Sequence, residues 1–445
     1  MSNFQTILLA ILASVFVFAV LIFADVIQIG KDKEASVQGK ILVWGTQDAT
    51  AMRAINDKIE NDNDELIINY VKKSEETYQQ ELIEAFANGS GPDLFIIDPG
   101  MMKRNANFIY KIPYTAYPQK NFKDTFIEGA QIYIDQDGIV GLPLYVDPLV
   151  VYYNKDILTN NRIPSLPKTW DQLFELNETL TKRDNFGKID QSMIALGQFS
   201  NVNNAKDILA TLLIQNDNNI VEKILTRTSG SSDQTTSTVS YESLLRDNSK
   251  NYQVTPAESV LQFFLEFSNV SKSAYSWNKS LANSLDVFAE GKLAFYVGRA
   301  SELFKIEEMN PNLSFDVTKM LQSKGSSVDK TFGEIYGVVI NKKSTNLTTA
   351  FTVLGLMTSP DNVKELSRAL SLPPAIKSLI AEKPVDNSYL HTFFDSALIS
   401  RTWIDVDKKQ TNSIFQDMVE SSLSNSLSPS QAIDKASDQL DIILK

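Results

Sequence analysis

The sequence contains no cysteine, which excludes disulfides, thiolate zinc sites, iron–sulfur clusters, cysteine nucleophiles and acylated cysteine anchors. It has a single histidine, His391, so a histidine-rich metal site cannot be built within one chain and imidazole chemistry has one candidate at most. An excess of positive charge is missing as well: 42 Lys+Arg face 54 Asp+Glu, for a formal charge of −12. That balance argues against a nucleic-acid partner, because neutralising phosphates takes a basic face. Phosphate-cradling glycine loops, a Gly-x-Ser-x-Gly elbow and a His-Glu-x-x-His pair are absent too. The run Asp135-Gln136-Asp137-Gly138 begins like a calcium loop, but Val146 stands where the bidentate Glu is required. It reads as a hairpin turn. No metal and no cofactor are expected.

What is present is a globular composition, with 43% hydrophobic and 22% charged residues over 445 positions. That length is too great for one core and implies two or three compact units. Near the start, Ile7 to Ala24 is apolar except for Ser14. Eighteen residues at ~1.5 Å rise reach roughly 27 Å, close to a bilayer's hydrocarbon thickness. A transmembrane anchor over residues 6–27 is the expectation, with a polar tether at 28–37. A cleaved signal peptide is the competing reading, yet Phe23, Asp25 and Val26 around Ala24 offer no small-x-small site. Met1 to Gln5 carries no Lys or Arg, so charge barely votes on orientation. If the short N-terminus stays inside, the rest of the chain lies outside the cytoplasm, on the cell membrane or secreted after cleavage.

Beyond the tether, strands and helices alternate. Ile41–Trp44 reads as a buried strand, Ala49–Asn61 as a helix and Leu66–Val71 as a second strand. Tyr78, Leu82 and Phe86 share a helical face ending at Gly89, and Leu94–Ile97 is a third strand. This order argues for an α/β fold with a parallel sheet. Further on, Thr169-x-x-Gln172 opens a helix through Leu173, Leu176 and Leu180, and Ser359-Pro360 and Ser428-Pro429-x-Gln431 open two more. Thr226–Ser240 reads as a polar surface insertion, and His391 as a packed structural residue beside Phe393 and Phe394. In open α/β sheets, ligands bind outside the carboxyl ends of strands. Trp44-Gly45-Thr46-Gln47-Asp48 leaves the first strand and Asp98-Pro99-Gly100 the third, so Trp44, Asp48 and Asp98 are candidate site residues. Each also has a structural reading: Trp44 as core, Asp48 as a helix N-cap, Asp98 as a turn residue.

These motifs, with others downstream, resemble the family 1 extracellular solute-binding proteins, the maltose/oligosaccharide-type receptors of ABC importers. The matching segments occur in family order. They include Ile41-Leu-Val-Trp44-Gly, Gly89-Ser-Gly-Pro92-Asp93-Leu-Phe95, Gly141-Leu-Pro143-Leu-Tyr145-Val-Asp147 and Tyr152-Tyr-Asn154-Lys-Asp156. Pro167-Lys-Thr169-Trp170-Asp171, Phe288-Ala-Glu-Gly291-Lys-Leu-Ala294-Phe295, Gly337-Val-Val-Ile-Asn341 and Leu372-Pro373 follow. The resemblance implies a two-lobed periplasmic-binding-protein fold with a hinge and an interlobe cleft. Residues 38–145 with 322–370 would form one lobe, and 150–320 with 372–445 the other. It also implies a small-molecule solute, such as a sugar or oligosaccharide, an ABC permease as partner, and no catalytic residues.

Departures from the family pattern are visible. The lipobox cysteine is missing, and the apolar run would anchor the protein in its place. Where the family stacks sugar rings on tryptophan, this sequence has Ile97, Ala300 and Asn412. Trp44, Tyr145, Trp277, Tyr336 and Trp403 are the aromatics that could substitute. Trp44, Tyr145, Tyr336 and Trp403, with Asp48, Asp98, Asp147 and Arg299, make up the expected ligand contacts. Two other readings stay open: a sensing or adhesion ectodomain that feeds no transporter, and a glycan hydrolase with a carboxylate pair.

Overall fold

The computed structural model describes residues 38–229, 235–249, 251–384 and 387–445. The anchor and tether expected at 6–27 and 28–37 lie outside the described residues. Among the described residues, no helix is long and apolar enough to cross a membrane. The chain divides into two compact units. One runs up to Val146 and adds Glu334–Lys383; the other comprises Asp147–Gly333 and Pro384–Lys445.

In the first unit the chain order is β1 (Gly39–Gly45), α1 (Ala49–Asn61), β2 (Leu66–Lys72), α2 (Tyr78–Ala87) and β3 (Leu94–Ile97). β1 pairs in parallel with β2 on one side and β3 on the other. Every residue of β3 is buried, as a central strand covered on both faces must be. β2 alternates instead: Leu66 and Ile68 point inward while Ile67 is 53% exposed. Met52, Ile55 and Ile59 place one face of α1 in the core, and Phe86 of α2 packs edge-on to Phe95 at 5.2 Å. The returning strand Thr331–Asn341 closes the other side of β3, antiparallel, from Gly337↔Ile97 to Ile340↔Leu94.

The boundary between the units falls inside the returning strand and inside β4 (Leu142–Asn154), which is buried at every residue except Tyr153. In the second unit, β5 (Ile189–Ile194) runs parallel to β6 (Leu293–Arg299), and β6 lies antiparallel to β4. The carboxyl ends of β5 and β6 therefore share one edge. Two helices begin near it: α4 (Ala205–Gln215) and α5 (Lys408–Leu423). The apolar residues of α4 are buried all round, from Ile208 to Ile214, the pattern of an interior helix.

Several expectations are corrected. The later segment of the first unit is 334–383, not 322–370. Gln322 bridges Thr169 and keeps its neighbourhood in the second unit, whereas Ala375 and Ile376 bond Ile127 and Phe126 of the first. The helix opened by Thr169 stops at Phe174, and a separate turn covers Asn177–Leu180. Asn177, which opens that second turn, donates from its side chain to the carbonyls of Ser273 and Tyr275. Gln172 returns to the Lys168 amide, so only half of the capping box forms, while the box at Ser428 is complete. The Thr/Ser-rich stretch is part of an antiparallel hairpin, Val221–Ser229 with Thr235–Ser243, consistent with the strand preference of β-branched threonine. His391 is exposed with Nε2 2.6 Å from the Pro384 carbonyl, because its helix buries Leu390, Phe393, Phe394 and Ala397. Trp277 is fully buried, with Nε1 donating to Asn201 at 3.1 Å. It packs the core and offers no ligand platform.

Candidate functional site

In the first unit, polar and aromatic groups gather at the carboxyl ends of β1 and β3. Gln47 follows β1 and is buried; its Nε2 donates to the Tyr145 hydroxyl at 2.9 Å. The Tyr70 hydroxyl holds the same turn by donating to the Gln47 carbonyl at 2.9 Å. Gly337 opposite Ile97 puts Tyr336 at the exit of β3. The Tyr145 ring stacks on Tyr336, with centroids 4.9 Å apart and planes 19° from parallel. Two of the expected site residues thus meet, and Gln47 joins them although the sequence reading had passed it over.

The other three expected residues of this unit have specific engagements. The Trp44 ring carries the Lys73 ammonium 3.7 Å from its centroid, and Lys73 is tied to Glu81 at 2.7 Å. Asp48 is the N-cap of α1, accepting from the amides of Thr50 at 2.8 Å and Ala51 at 3.2 Å. Those amides, Ala51 foremost, hold its carboxyl below the usual range, with Lys72 at 3.6 Å assisting. Asp98 is buried and accepts from Gly100 and Met101, starting α3 (Gly100–Asn105).

In the second unit, a cavity of about 740 Å³ opens at the carboxyl edge of β5 and β6. That is within the usual size range of small-molecule sites. Its walls come from the loop before α4, the first turn of α4, the end of β6 and the first turns of α5. Arg299, an expected residue, lines it and is fixed by Asp207, whose Oδ2 accepts from Nε at 2.9 Å and Nη2 at 2.7 Å. Lys206 lies beside them, bonded to Asp405 at 2.5 Å and to the Thr411 hydroxyl at 3.1 Å. Trp403 is almost buried, 6.0 Å from the Lys206 ammonium and tilted against Phe415. Ser200, Asn412, Ser413 and Gln416 complete a polar lining. Ala300 is buried and Asn412 lines the wall. Neither position carries an aromatic platform.

Two further acidic groups of this unit are engaged by hydrogen bonds within it. Asp147 at the entry of the unit accepts from the Ser301 amide at 3.0 Å and hydroxyl at 2.6 Å, fixing the turn that follows Arg299. Glu302 accepts from Tyr296 at 2.6 Å and from Asn204 at 3.0 Å. Burial pushes its carboxyl up, with the Asp147 charge adding, and these two hydrogen bonds oppose the shift. Asn204 has φ 58° and precedes α4 without a side-chain cap.

Lys206 and Asp207 were missed in the sequence reading. One signal was available: a lysine in the first turn of a helix opposes the helix dipole and needs a compensating anion, here Asp405. The partners are 199 and 92 residues distant along the chain. Among the described residues, no group of His, Asp and Glu could hold a metal ion.

A family model described as bacterial extracellular solute-binding protein matches residues 54–391. Solved structures share the fold at low sequence identity. A cyclo/maltodextrin-binding protein complexed with maltotetraose is 14% identical, with a TM-score of 0.70 over 93% of this chain and 98% of that one. The sugar-binding protein of the phytopathogen Xanthomonas citri is 15% identical, with a TM-score of 0.70 over 91% and 97%. The extracellular solute-binding protein of Staphylococcus aureus in complex with maltose is 16% identical, with a TM-score of 0.68 over 92% and 98%.

Proposed function

The chain belongs to the bacterial extracellular solute-binding proteins, and we propose from that premise that it captures a carbohydrate and delivers it, unchanged, to an ABC importer permease. The observation that carries this reading is the polar cavity of about 740 Å³ at the carboxyl edge of β5 and β6, where open α/β sheets bind ligands. The ligands of the similar structures, maltotetraose and maltose, support the choice of a sugar. Their short identity to this chain leaves the ring contacts to be made by different residues.

Tyr336, stacked on the buried Tyr145, supplies a flat face suited to a sugar ring, and the Gln47 amide holds the Tyr145 hydroxyl in place. Arg299 supplies donors for hydroxyl or ring oxygens, and Lys206, bonded to Asp405, the Thr411 hydroxyl and the Lys408 carbonyl, braces the wall beside it. Asp147 positions Arg299 by fixing Ser301, and Asp48 and Asp98 hold the starts of α1 and α3. Trp44 and Trp403 shape the respective walls. Residues 6–27 anchor the protein in the membrane.

A thermal-shift screen against mono-, di- and oligosaccharides, polyols and amino acids tests the reading. A ligand at ~100 times its dissociation constant stabilises by about 2.7 kcal/mol. Stabilisation by amino acids but by no carbohydrate refutes the sugar assignment, and turnover of a chromogenic glycoside refutes the binding-protein assignment.

A further inference from the structure

The first unit has a concavity of its own, of about 500 Å³, on the flank of its sheet. It runs between α1 and β2, and among the described residues no strand lies beyond β2. Arg53, Asn56, Asp57 and Glu60 line it from α1, where the helical period puts them on one side. Ile68 and Val71 line it from β2.

The polar groups here are unspent. Among the described residues, Arg53, Asn56 and Asp57 make no hydrogen bond and no ion pair. Arg53 and Asp57 carry opposite charges one turn apart, yet they do not close on each other. Asn56 is the sharpest case, because it is 4% exposed and its Oδ1 has no hydrogen-bond partner. Its buried companions on α1 are Met52, Ile55 and Ile59, so packing alone would be better served by an apolar side chain. A buried amide left without partners weakens the fold. A ligand in the concavity gives it something to bond.

The set holds donors in Arg53 and the Asn56 amide, and acceptors in Asp57 and the second oxygen of Glu60. A hydroxyl both donates and accepts, and a sugar carries several on a ring whose C–H surface suits Ile68 and Val71. An extended peptide added to the β2 edge fits less well. The Ile68 amide that such a strand would use is already held by Glu60 Oε1.

We infer that this flank is a saccharide site separate from the cavity of the second unit, with Arg53, Asn56 and Asp57 as its hydrogen-bonding groups. The inference rests on the carbohydrate reading above and extends it to a second place on the chain. A site of this kind retains saccharide at the protein surface and raises its local concentration.

Photoaffinity labelling of the full chain with diazirine derivatives of maltotetraose and of mannotriose tests it, with the attachment points read by peptide mass spectrometry. The expected result is labelling of the α1 segment that the unmodified sugar displaces. Arg53→Ala with Asp57→Ala should cut that labelling roughly tenfold or more; both residues are exposed, so the fold is retained. Asn56→Leu should cut it likewise while melting at the same temperature or about 2–4 °C higher. A lowered melting temperature makes Asn56 a member of the fold and overturns its assignment. Labelling displaced by an unstructured peptide but by neither sugar assigns the flank to peptides and overturns the saccharide site. No labelling of the flank by either derivative overturns it too, and the carbohydrate reading then stands or falls by the thermal screen alone.

Discussion

Replacing Asp147 by alanine separates its role as a ligand contact from its role as a structural brace. The carboxylate is 5% exposed and accepts from both the amide and the hydroxyl of Ser301. A hydrogen bond to a charged group is worth about 1.5–3 kcal/mol, and a neutral one about 1 kcal/mol. Ser301 itself is exposed, so water recovers part of what its amide and hydroxyl lose. The net cost of Asp147→Ala is therefore placed at roughly 2 kcal/mol, near the top of the range for removing a helix cap. For a unit of this size that lowers the melting temperature by about 4–8 °C. Asp147→Asn retains the acceptor for the amide and loses about half as much. Ser301→Ala removes only the hydroxyl bond, and in the double variant its effect should shrink to near zero, since its partner is already gone. Thermal unfolding of the parent and the four variants reads these differences, and titration with an identified ligand reads affinity alongside. An Asp147→Ala protein as stable as the parent but defective in binding refutes the brace and restores a direct ligand contact.

Lys206→Met leaves Asp405 in a nearly buried position with the Thr411 hydroxyl, so roughly 3–5 kcal/mol of stability should be lost. Lys206→Met combined with Asp405→Leu should recover most of it in urea unfolding, and an undiminished loss in the double variant contradicts the pairing argument. Glu302 has a folded-state pKa above its ordinary 4.5, so the folded protein holds its proton more firmly than the unfolded chain. Its contribution to stability is full below about pH 4.5 and falls as pH rises through the raised value. Glu302→Gln should remove that decline, making the variant increasingly stable relative to the parent toward neutral pH; a difference independent of pH across unfolding curves contradicts the burial argument. The full-length chain should sediment with membranes and retain its N-terminal residues, and recovery of mature protein beginning near Asp25 by N-terminal sequencing overturns the anchor.

The parts of the fold legible in the sequence are those decided locally. Asp48 and the spacing of Met52, Ile55 and Ile59 define α1 to the residue, and the uninterrupted apolar run of β3 marks a central strand. Where a distant residue decides, the pattern gives no warning. The helix after Thr169 stops at Phe174, and the turn that follows it is tied by Asn177 to the Ser273 carbonyl, 96 residues further on. The unit boundary lies where the bridges of Gln322 and Ile376 put it. The same distinction governs the site. Tyr145 and Tyr336 were identifiable as aromatics beside strand ends, but their stacking required two strands 191 positions apart to be placed. Lys206, Asp207 and Asp405 are ordinary charged residues until folding assembles them around one cavity.

The interleaving of the two units along the chain has a consequence for the protein's birth. Phe95 of β3 is completed by Val339 of the returning strand, which is translated 244 residues later. At about 5–20 residues per second, the ribosome takes roughly 12–50 s to supply it. During that interval, the edge of β3 that will receive the returning strand has no native partner, and an open hydrophobic edge is a template for misassembly. The second unit is in the same position, since Lys206 waits for Asp405. Neither unit can finish folding as it emerges. A nascent chain of this architecture therefore depends on being kept open until almost all of it has been made, and truncation before residue 334 should yield aggregates in place of a smaller folded protein.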